Sequence, residues 1–155
     1  MNIESIGTVT REKEGFSIQV QKEFIPGLKG LEGFSHLQII WWAHLTDIES
    51  AQRNLVFEKL FKKGPTQTGV FATRAPSRPN PIMMSTIKVT HIDIEKGIIL
   101  TPFIDAEPET PVLDIKPYHP MDRVKNCEVP EYRKHWPRWM EEAATFNWKD
   151  EIWGA

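Results

Sequence analysis

Residues 36–45 read HLQIIWWAHL, and this stretch does most to decide the fold class that we predict. It is almost continuously apolar, and its isoleucine and tryptophan content is typical of a central β-strand. No apolar run in the sequence approaches the length that a membrane-spanning helix needs. We therefore expect residues 36–45 to form a buried strand inside a sheet.

Two hairpins are predicted on either side of this strand. Residues 16–20 (FSIQV) alternate apolar and polar side chains, which is the period of a half-buried strand, and a strand at residues 6–10 can pair with it. Residues 85–91 and 98–104 form the second hairpin, with a turn at Lys96-Gly97. Residues 48–63 fit a short helix or another strand equally well.

Short strands separated by glycine and proline turns, without alternating βαβ units, favour a mainly β chain. We predict a single small antiparallel β-barrel at residues 1–120, followed by a short helical tail at residues 121–155. The tail is expected to be helical near residues 137–146 and to pack on the barrel or on a partner subunit. Four of the six tryptophans lie in it: Trp136, Trp139, Trp148 and Trp153.

Composition narrows the functional classes. Hydrophobic residues make up 40% of the chain, enough for a real core. Cys127 is the single cysteine, and the histidines show no metal-ligand spacing, so we expect no disulfide and no metal. The first residues lack the layout of a secretory signal, which favours a cytoplasmic protein without a membrane anchor.

The charge distribution points to a local anion site. The net charge is −2, but residues 53–88 hold seven basic side chains against one acidic one. A solvated surface and a phosphate- or RNA-facing patch both explain this segment. The basic residues are Arg53, Lys59, Lys62, Lys63, Arg74, Arg78 and Lys88.

The segment GVFATRAPSRPNPIMMS at residues 69–85 is the strongest candidate for a binding site. Its prolines fix several φ angles, so polar side chains on this frame lose little entropy when they bind a ligand. Arginine guanidiniums suit a carboxylate or phosphate, although the same arginines can instead bind backbone carbonyls. The prolines are Pro76, Pro79 and Pro81, and the polar groups are Arg74, Arg78 and Asn80.

A second candidate segment is TPVLDIKPY at residues 110–118. In an extended chain Asp114, Lys116 and Tyr118 lie on one face. Asp114 and Lys116 are then either a surface ion pair or an acid–base pair beside a ligand.

These two motifs, with LEGFSHL at residues 31–37, resemble the TsaA-like family, whose best-known members are the TrmO tRNA methyltransferases. The resemblance implies a small β-barrel that binds S-adenosylmethionine, commonly at a homodimer interface. It also implies methylation of the N6 nitrogen of threonylcarbamoyladenosine beside the tRNA anticodon. The basic segment at residues 53–88 is then the candidate surface that contacts the tRNA. The chain has no GxG sequence, so a Rossmann-type cofactor loop is absent.

The resemblance also assigns residues to the site. Near the transferred methyl group or the polar end of the cofactor it places Asp114, Lys116 and Tyr118. Lining the cofactor pocket it places Phe71, Ala72, Thr73, Arg74, Arg78, Asn80, Pro81, Ile82, Ser85, Leu113 and His36. Within this set we expect an arginine to hold the methionyl carboxylate and Asp114 to bind the ammonium or act as a base.

The sequence departs from the family pattern in three places. Met83 replaces a glycine, and we expect Met83 and Met84 to fill the core. Pro108-Glu109 replaces Asp-Gly, which makes a positive φ unfavourable there. An N-terminal Lys…Gly-x-Pro-Arg-Gln segment is missing from residues 10–24. These losses keep open methyl transfer to another acceptor, or a module that binds S-adenosylmethionine without turnover.

Overall fold

The computed structural model describes residues 2–154, which contain nine β-strands, two short α-helices and several 3-10 turns. The helices are α1 (Glu49–Arg53) and α2 (Met140–Ala143). The strands are β1 (Gly7–Arg11), β2 (Phe16–Val20), β3 (His36–Trp42), β4 (Val56–Glu58), β5 (Gln67–Gly69), β6 (Ile82–Lys88), β7 (His91–Asp93), β8 (Ile98–Thr101) and β9 (Pro111–Pro117).

Seven of these strands form one antiparallel sheet in the order β6-β3-β9-β1-β2-β8-β7. Strand β3 pairs with β6 on one side and β9 on the other, which confirms the predicted central strand. The strand ends at Trp42, because a 3-10 turn follows at His44–Thr46. Residues 48–63 contain both of the predicted alternatives, since α1 is followed by β4.

The first hairpin is confirmed, and the second is confirmed only in part. Most of the predicted strand at residues 85–91 belongs to β6, which pairs with β3 instead. Strands β1 and β2 pair antiparallel in unbroken register, and β7 pairs with β8. The second turn requires a glycine at position 97, where φ is +70°. A Cβ atom there would come within 2.8 Å of Ile25 Cγ1, so both the backbone conformation and the space exclude a larger residue.

Closure of the sheet into a barrel stays a prediction. The edge strands β6 and β7 are not paired to each other within residues 2–154. They are joined by only two residues, Val89 and Thr90, so the sheet must curl until its edges meet end to end. The mainly antiparallel β architecture is confirmed.

Alternation along β3 sets the core. Leu37, Ile39 and Trp41 are buried, while the residues between them are half-buried on the opposite face. The prediction for the methionines is half wrong, because neighbouring strand residues point to opposite faces. Met83 packs on the core, whereas Met84 is 45% exposed.

The turn before β9 keeps a left-handed residue without glycine. Glu109 has φ +65°, the conformation that the replacement of glycine was expected to make unfavourable. Its backbone N–H donates to Val9 O at 2.8 Å, and this strand contact holds the residue in place. A side chain in this region carries a strain of about 1–2 kcal/mol.

The C-terminal tail is less helical than predicted. Within it α2 spans only Met140–Ala143, Pro137 lies outside the helix, and the rest consists of turns. The tail packs on the chain itself: Phe61 and Ile152 form an isolated β-bridge. The division into domains at residue 120 stays a prediction.

Candidate functional site

The second candidate segment lies beside the end of the first on one face of the sheet. Ile40 in β3 stands opposite Met84 on one side and Asp114 on the other, so these three side chains share the face away from the core. The proline-rich loop, residues 70–81 between β5 and β6, ends at Ile82, which is on the same face. Strand spacing and rise place the Cα atoms of Asp114 and Ile82 roughly 12 Å apart.

Asp114 and Lys116 form an ion pair on this face. Their side chains are 46% and 58% exposed, and Asp114 Oδ1 also accepts a hydrogen bond from the Ile115 N–H at 2.8 Å. Leu113 lies where the register between β3 and β9 shifts. The irregularity turns Asp114 outward beside Val112, which points into the core.

Tyr118 and His36 meet at the far end of the same strand pair. The Tyr118 N–H donates to His36 O at 3.1 Å, and the two rings lie 6.4 Å apart. Both are half-buried. They stand at the opposite end of β3 from Trp42, which pairs with Ile82 where the proline-rich loop ends.

The proline-rich loop is held from within by its own polar groups. Thr73 is 9% exposed, and its hydroxyl donates to Val70 O at 2.8 Å and accepts from the Ala75 N–H at 3.1 Å. The Arg78 guanidinium donates to Thr73 O and Ala75 O at 3.4 and 3.3 Å. Part of Arg78 is therefore used for the backbone.

Pro81 and Ser85 support the loop from the core side. Pro81 is fully buried, and its carbonyl accepts a hydrogen bond from the Ala43 N–H at 2.8 Å. Ser85 accepts a hydrogen bond from the Trp41 indole N–H at 2.9 Å. With Thr73, these residues contribute to the frame that supports the loop.

The remaining predicted pocket residues face outward. Phe71 is 79% exposed, which is unusual for a phenylalanine ring, and Ile82 is 40% exposed. Ala72, Arg74 and Asn80 are exposed as well. The loop thus offers an aromatic ring, a guanidinium and an amide on a rigid frame, which suits a ligand with both a flat apolar part and a negatively charged group.

Sequence reasoning missed one residue that touches this segment. Arg133, in the tail, donates from Nη2 to Ala72 O at 2.8 Å. A single arginine among the charged residues of the tail carries no pattern that marks it. The distance of 61 residues along the chain hides the contact from any local motif.

The structure uses much of the predicted basic segment internally. Lys63 pairs with Glu151, which is only 5% exposed and also accepts hydrogen bonds from His135 and Trp136. These donors, Lys63 first, hold the pKa of the Glu151 carboxyl at about 2. Lys62 donates to Lys149 O. Five basic residues of the segment form no ion pair within residues 2–154. Lys62 and Arg78 bind backbone carbonyls instead, and the other three are Lys59, Arg74 and Lys88.

A separate cleft of about 370 Å³ opens at the end of the sheet nearer the proline-rich loop. Trp41 and Phe16 line its apolar wall, and Asp105 and Glu107 lie at its acidic side. Pro76 of the loop also borders it. No group of three acidic, histidine or cysteine side chains in the described part of the chain could hold a metal ion, and no described helix is long and apolar enough to cross a membrane.

The fold and the paired motifs define a small antiparallel β domain with an exposed proline-rich loop. The sequence model of the tRNA-methyltransferase O N-terminal domain family matches residues 6–122. The chain belongs to this family, and the resemblance found in the sequence is confirmed.

Relatives agree with this assignment. A probable S-adenosyl-L-methionine-binding protein of Methanocaldococcus jannaschii is 36% identical over 117 residues, covering 74% of this chain and 89% of that one. A protein of the same description from Pyrococcus horikoshii is 40% identical, covering 72% and 77%. The tRNA (adenine(37)-N6)-methyltransferase of Escherichia coli is 40% identical over 95 residues, covering 60% of this chain and 40% of that one.

A solved structure matches the fold as well. The crystal structure of TrmO from Pseudomonas aeruginosa superposes with a TM-score of 0.60 at 27% identity, over 83% of this chain. This chain spans only 60% of the length of that protein.

Proposed function

We propose that the protein is an S-adenosylmethionine-dependent methyltransferase that acts on tRNA, at the N6 nitrogen of threonylcarbamoyladenosine beside the anticodon. The observation that carries the proposal is the family match over residues 6–122, which includes both motif segments. The names of the relatives support it, since they describe S-adenosylmethionine binding and methylation of adenine 37 in tRNA.

The exposed residues of the site fit the cofactor. S-adenosylmethionine has a carboxylate, an ammonium, a sulfonium and a flat adenine. Arg74 suits the carboxylate, Asp114 suits the ammonium, and the exposed Phe71 ring offers a face to the adenine or the sulfonium. The stiffness of the loop keeps these groups in place before the ligand arrives.

When bound, the cofactor supplies an electrophilic methyl group. The chain would contribute by holding the acceptor nitrogen in line with that group and by excluding water. The N6 nitrogen must lose a proton when it gains the methyl. The Asp114 carboxylate, with 46% of its side chain exposed on this face, would accept that proton if another group holds the ammonium. Lys116, which forms an ion pair with Asp114, would hold the Asp114 carboxylate in place.

We also propose a homodimer, with a second copy covering the outer face around the loop. Phe71, Ile82 and Met84 are exposed there, at 79%, 40% and 45%. Exposed apolar side chains so grouped are typical of interaction surfaces. Size-exclusion chromatography with light scattering should give twice the mass of one chain, and a monomer at micromolar concentration would contradict the proposal.

The tRNA would meet the chain through the basic side chains that remain free of ion pairs. With Arg74 assigned to the cofactor, these include Lys59 and Lys88, so the patch is smaller than the sequence indicates. Because phosphate contacts release counterions, each should add about 0.7–0.9 to the slope of log affinity against log salt. A slope near zero would remove this surface from the proposal.

A second candidate function is binding of S-adenosylmethionine without turnover. It is favoured by the archaeal relatives, whose descriptions name binding only. The internal use of Arg78, Lys62 and Lys63 also leaves fewer groups for RNA.

Radiolabelled methyl transfer distinguishes the two. The protein is incubated with labelled S-adenosylmethionine and tRNA that carries threonylcarbamoyladenosine, and in parallel with the same tRNA lacking that modification. We expect label in the first tRNA only, and loss of it in the Asp114→Asn variant. Cofactor binding without transfer to either tRNA would support the binding module.

A further inference from the structure

From residue 123 onward the tail lies outside the family match at residues 6–122, and it folds back on the hairpin of β4 and β5. Its last segment pairs with the loop of that hairpin: the Trp153 N–H donates to Leu60 O at 3.0 Å, and the Lys62 N–H donates to Glu151 O at 2.9 Å. The tail is therefore bound to the β4–β5 hairpin of its own chain, and this hairpin leads into the proline-rich loop.

A second small core joins the two. Phe61 is only 7% exposed but is not part of the main core. Its ring lies 5.5 Å from Tyr132 and 5.8 Å from Trp136, both in the tail. A Cβ atom at position 64 would come within 3.1 Å of the Tyr132 ring, so the glycine there permits close packing.

Arg133 crosses this core and ends on the candidate site. Its guanidinium lies 4.4 Å from the centre of the Phe61 ring and 5.1 Å from that of Trp136, and Nη2 donates to Ala72 O at 2.8 Å. Its Nε is buried without a hydrogen-bond partner in the described structure. A buried N–H without a partner costs free energy. If packing were the only role of this side chain, an apolar residue would therefore be more favourable here than an arginine.

The carbonyl that Arg133 binds is at a sensitive place. Ala72 ends the 3-10 turn Val70–Ala72, between the exposed Phe71 ring and Thr73. Thr73 in turn holds Ala75 and Arg78 through its hydroxyl and carbonyl. Fixing the Ala72 carbonyl therefore fixes the point from which the loop starts.

We propose that Arg133 is a positioning residue for the S-adenosylmethionine site, so that the tail is a working part of the site. The proposal rests on the proposed function for the identity of the ligand. Arg133 does not touch the ligand; it acts through Ala72 and the neighbouring Phe71 and Arg74.

The test compares Arg133→Ala and Arg133→Lys with two controls. Lys134→Ala removes the neighbouring charge, whose partner is the exposed Glu131. Glu151→Gln weakens the contacts of Glu151 with Lys63, His135 and Trp136 without touching Ala72. Each variant is assayed for thermal midpoint, for amide hydrogen exchange of residues 70–80 without ligand, and for KM and kcat with S-adenosylmethionine.

For Arg133→Ala we expect faster exchange in residues 70–80 and a KM for the cofactor raised about tenfold, since a hydrogen bond from a charged donor is lost, with kcat changed less. Arg133→Lys, which keeps the charge and a donor, should recover part of the KM. Lys134→Ala should match the wild type. Glu151→Gln should lower the thermal midpoint with a smaller change in KM.

Unchanged exchange in Arg133→Ala would overturn the positioning role whatever the ligand assay gives. An equal rise of KM in Glu151→Gln would overturn it too, because general loosening of the tail would then suffice. If the wild type binds no S-adenosylmethionine while exchange still responds to Arg133→Ala, the proposed function and the assigned ligand fail, and the coupling between tail and loop remains.

Discussion

The sheet and the C-terminal tail bury their residues in different ways. In the sheet, aliphatic side chains such as Ile18, Ile39 and Ile99 are completely buried between paired strands. In the tail, aromatic rings meet around Phe61, and a buried carboxylate, Glu151, is held by three donors. The sheet depends on apolar burial and long ladders, whereas the tail depends on a few specific contacts between short turns.

This difference predicts two levels of stability in one chain. The paired strands β6, β3 and β9 contribute side chains to the main core, whereas Phe61 lies outside that core. Regions with few buried apolar contacts open at lower free energy than the core. The tail should therefore detach before the sheet unfolds.

The largest effect is expected for Ile39→Ala in the centre of the sheet. The side chain is 0% exposed, and its loss leaves a cavity that should lower the free energy of unfolding by about 2–5 kcal/mol. Urea unfolding followed by circular dichroism measures the change. Gln38→Ala, on the opposite face of the same strand, is the control with an expected change within about 0.5 kcal/mol. Similar losses in the two variants would contradict the account.

Phe61→Ala should release the tail and leave the sheet folded. Loss of a buried ring costs about 3–5 kcal/mol of packing, and here the loss falls on the tail and not on the sheet. Limited proteolysis should cut within residues 121–153 faster, while the urea midpoint of the sheet changes less. Trp139→Ala removes a ring that is 56% exposed and should leave both unchanged. A sheet midpoint that falls as far as in Ile39→Ala would mean a single cooperative unit.

Acid should detach the tail through Glu151. The pKa of its carboxyl is lowered from 4.5 to about 2 in the folded chain, first by the Lys63 hydrogen bond and then by His135. The stabilisation is complete above pH 4.5 and is lost as the pH falls toward 2. Tryptophan fluorescence and proteolysis should report a transition in this window. Glu151→Gln should weaken the tail at pH values where the wild-type carboxyl is ionised and abolish its part of the transition. An unaltered transition in that variant would assign it to other carboxyls.

A small gain is expected for Glu109→Gly in the sheet. Glu109 holds φ +65°, and glycine relieves that strain at the expense of a more flexible unfolded chain. The net gain should be about 0.5–1 kcal/mol in urea unfolding. Glu107→Gly, a nearby exposed residue without a positive φ, should destabilise instead. A loss in Glu109→Gly would show that the turn is not strained.

The sequence predicted the sheet well because alternation and turn residues are local signals. Residues 36–45 indicated β3, and Lys96-Gly97 indicated the turn between β7 and β8. Family motifs identified the loop and β9. The motifs identify the residue types in the candidate site, and the structure shows where those residues lie. The roles of Asp114 and of the exposed loop residues in binding or catalysis stay predictions.

The rest of the molecule depends on contacts between distant residues. The tail lacks a regular period, because its aromatic side chains pack between short turns, so a helix at residues 137–146 was overpredicted. Thr73 and Ser85 were assigned to the pocket although their hydroxyls bond within the frame. The contact of Arg133 with Ala72 has no signature in either segment.

Calorimetric titration of S-adenosylmethionine tests most directly whether residues 69–85 form the cofactor site. The titrations compare the wild type with the variants Arg74→Ala and Asn80→Ala, and Arg53→Ala is the exposed control. We expect saturable binding by the wild type and the control. In Arg74→Ala the affinity should fall about tenfold at unchanged thermal stability, because a charge-assisted hydrogen bond is lost. No binding by the wild type, or full affinity in both loop variants, would contradict the assignment of residues 69–85 as the cofactor site.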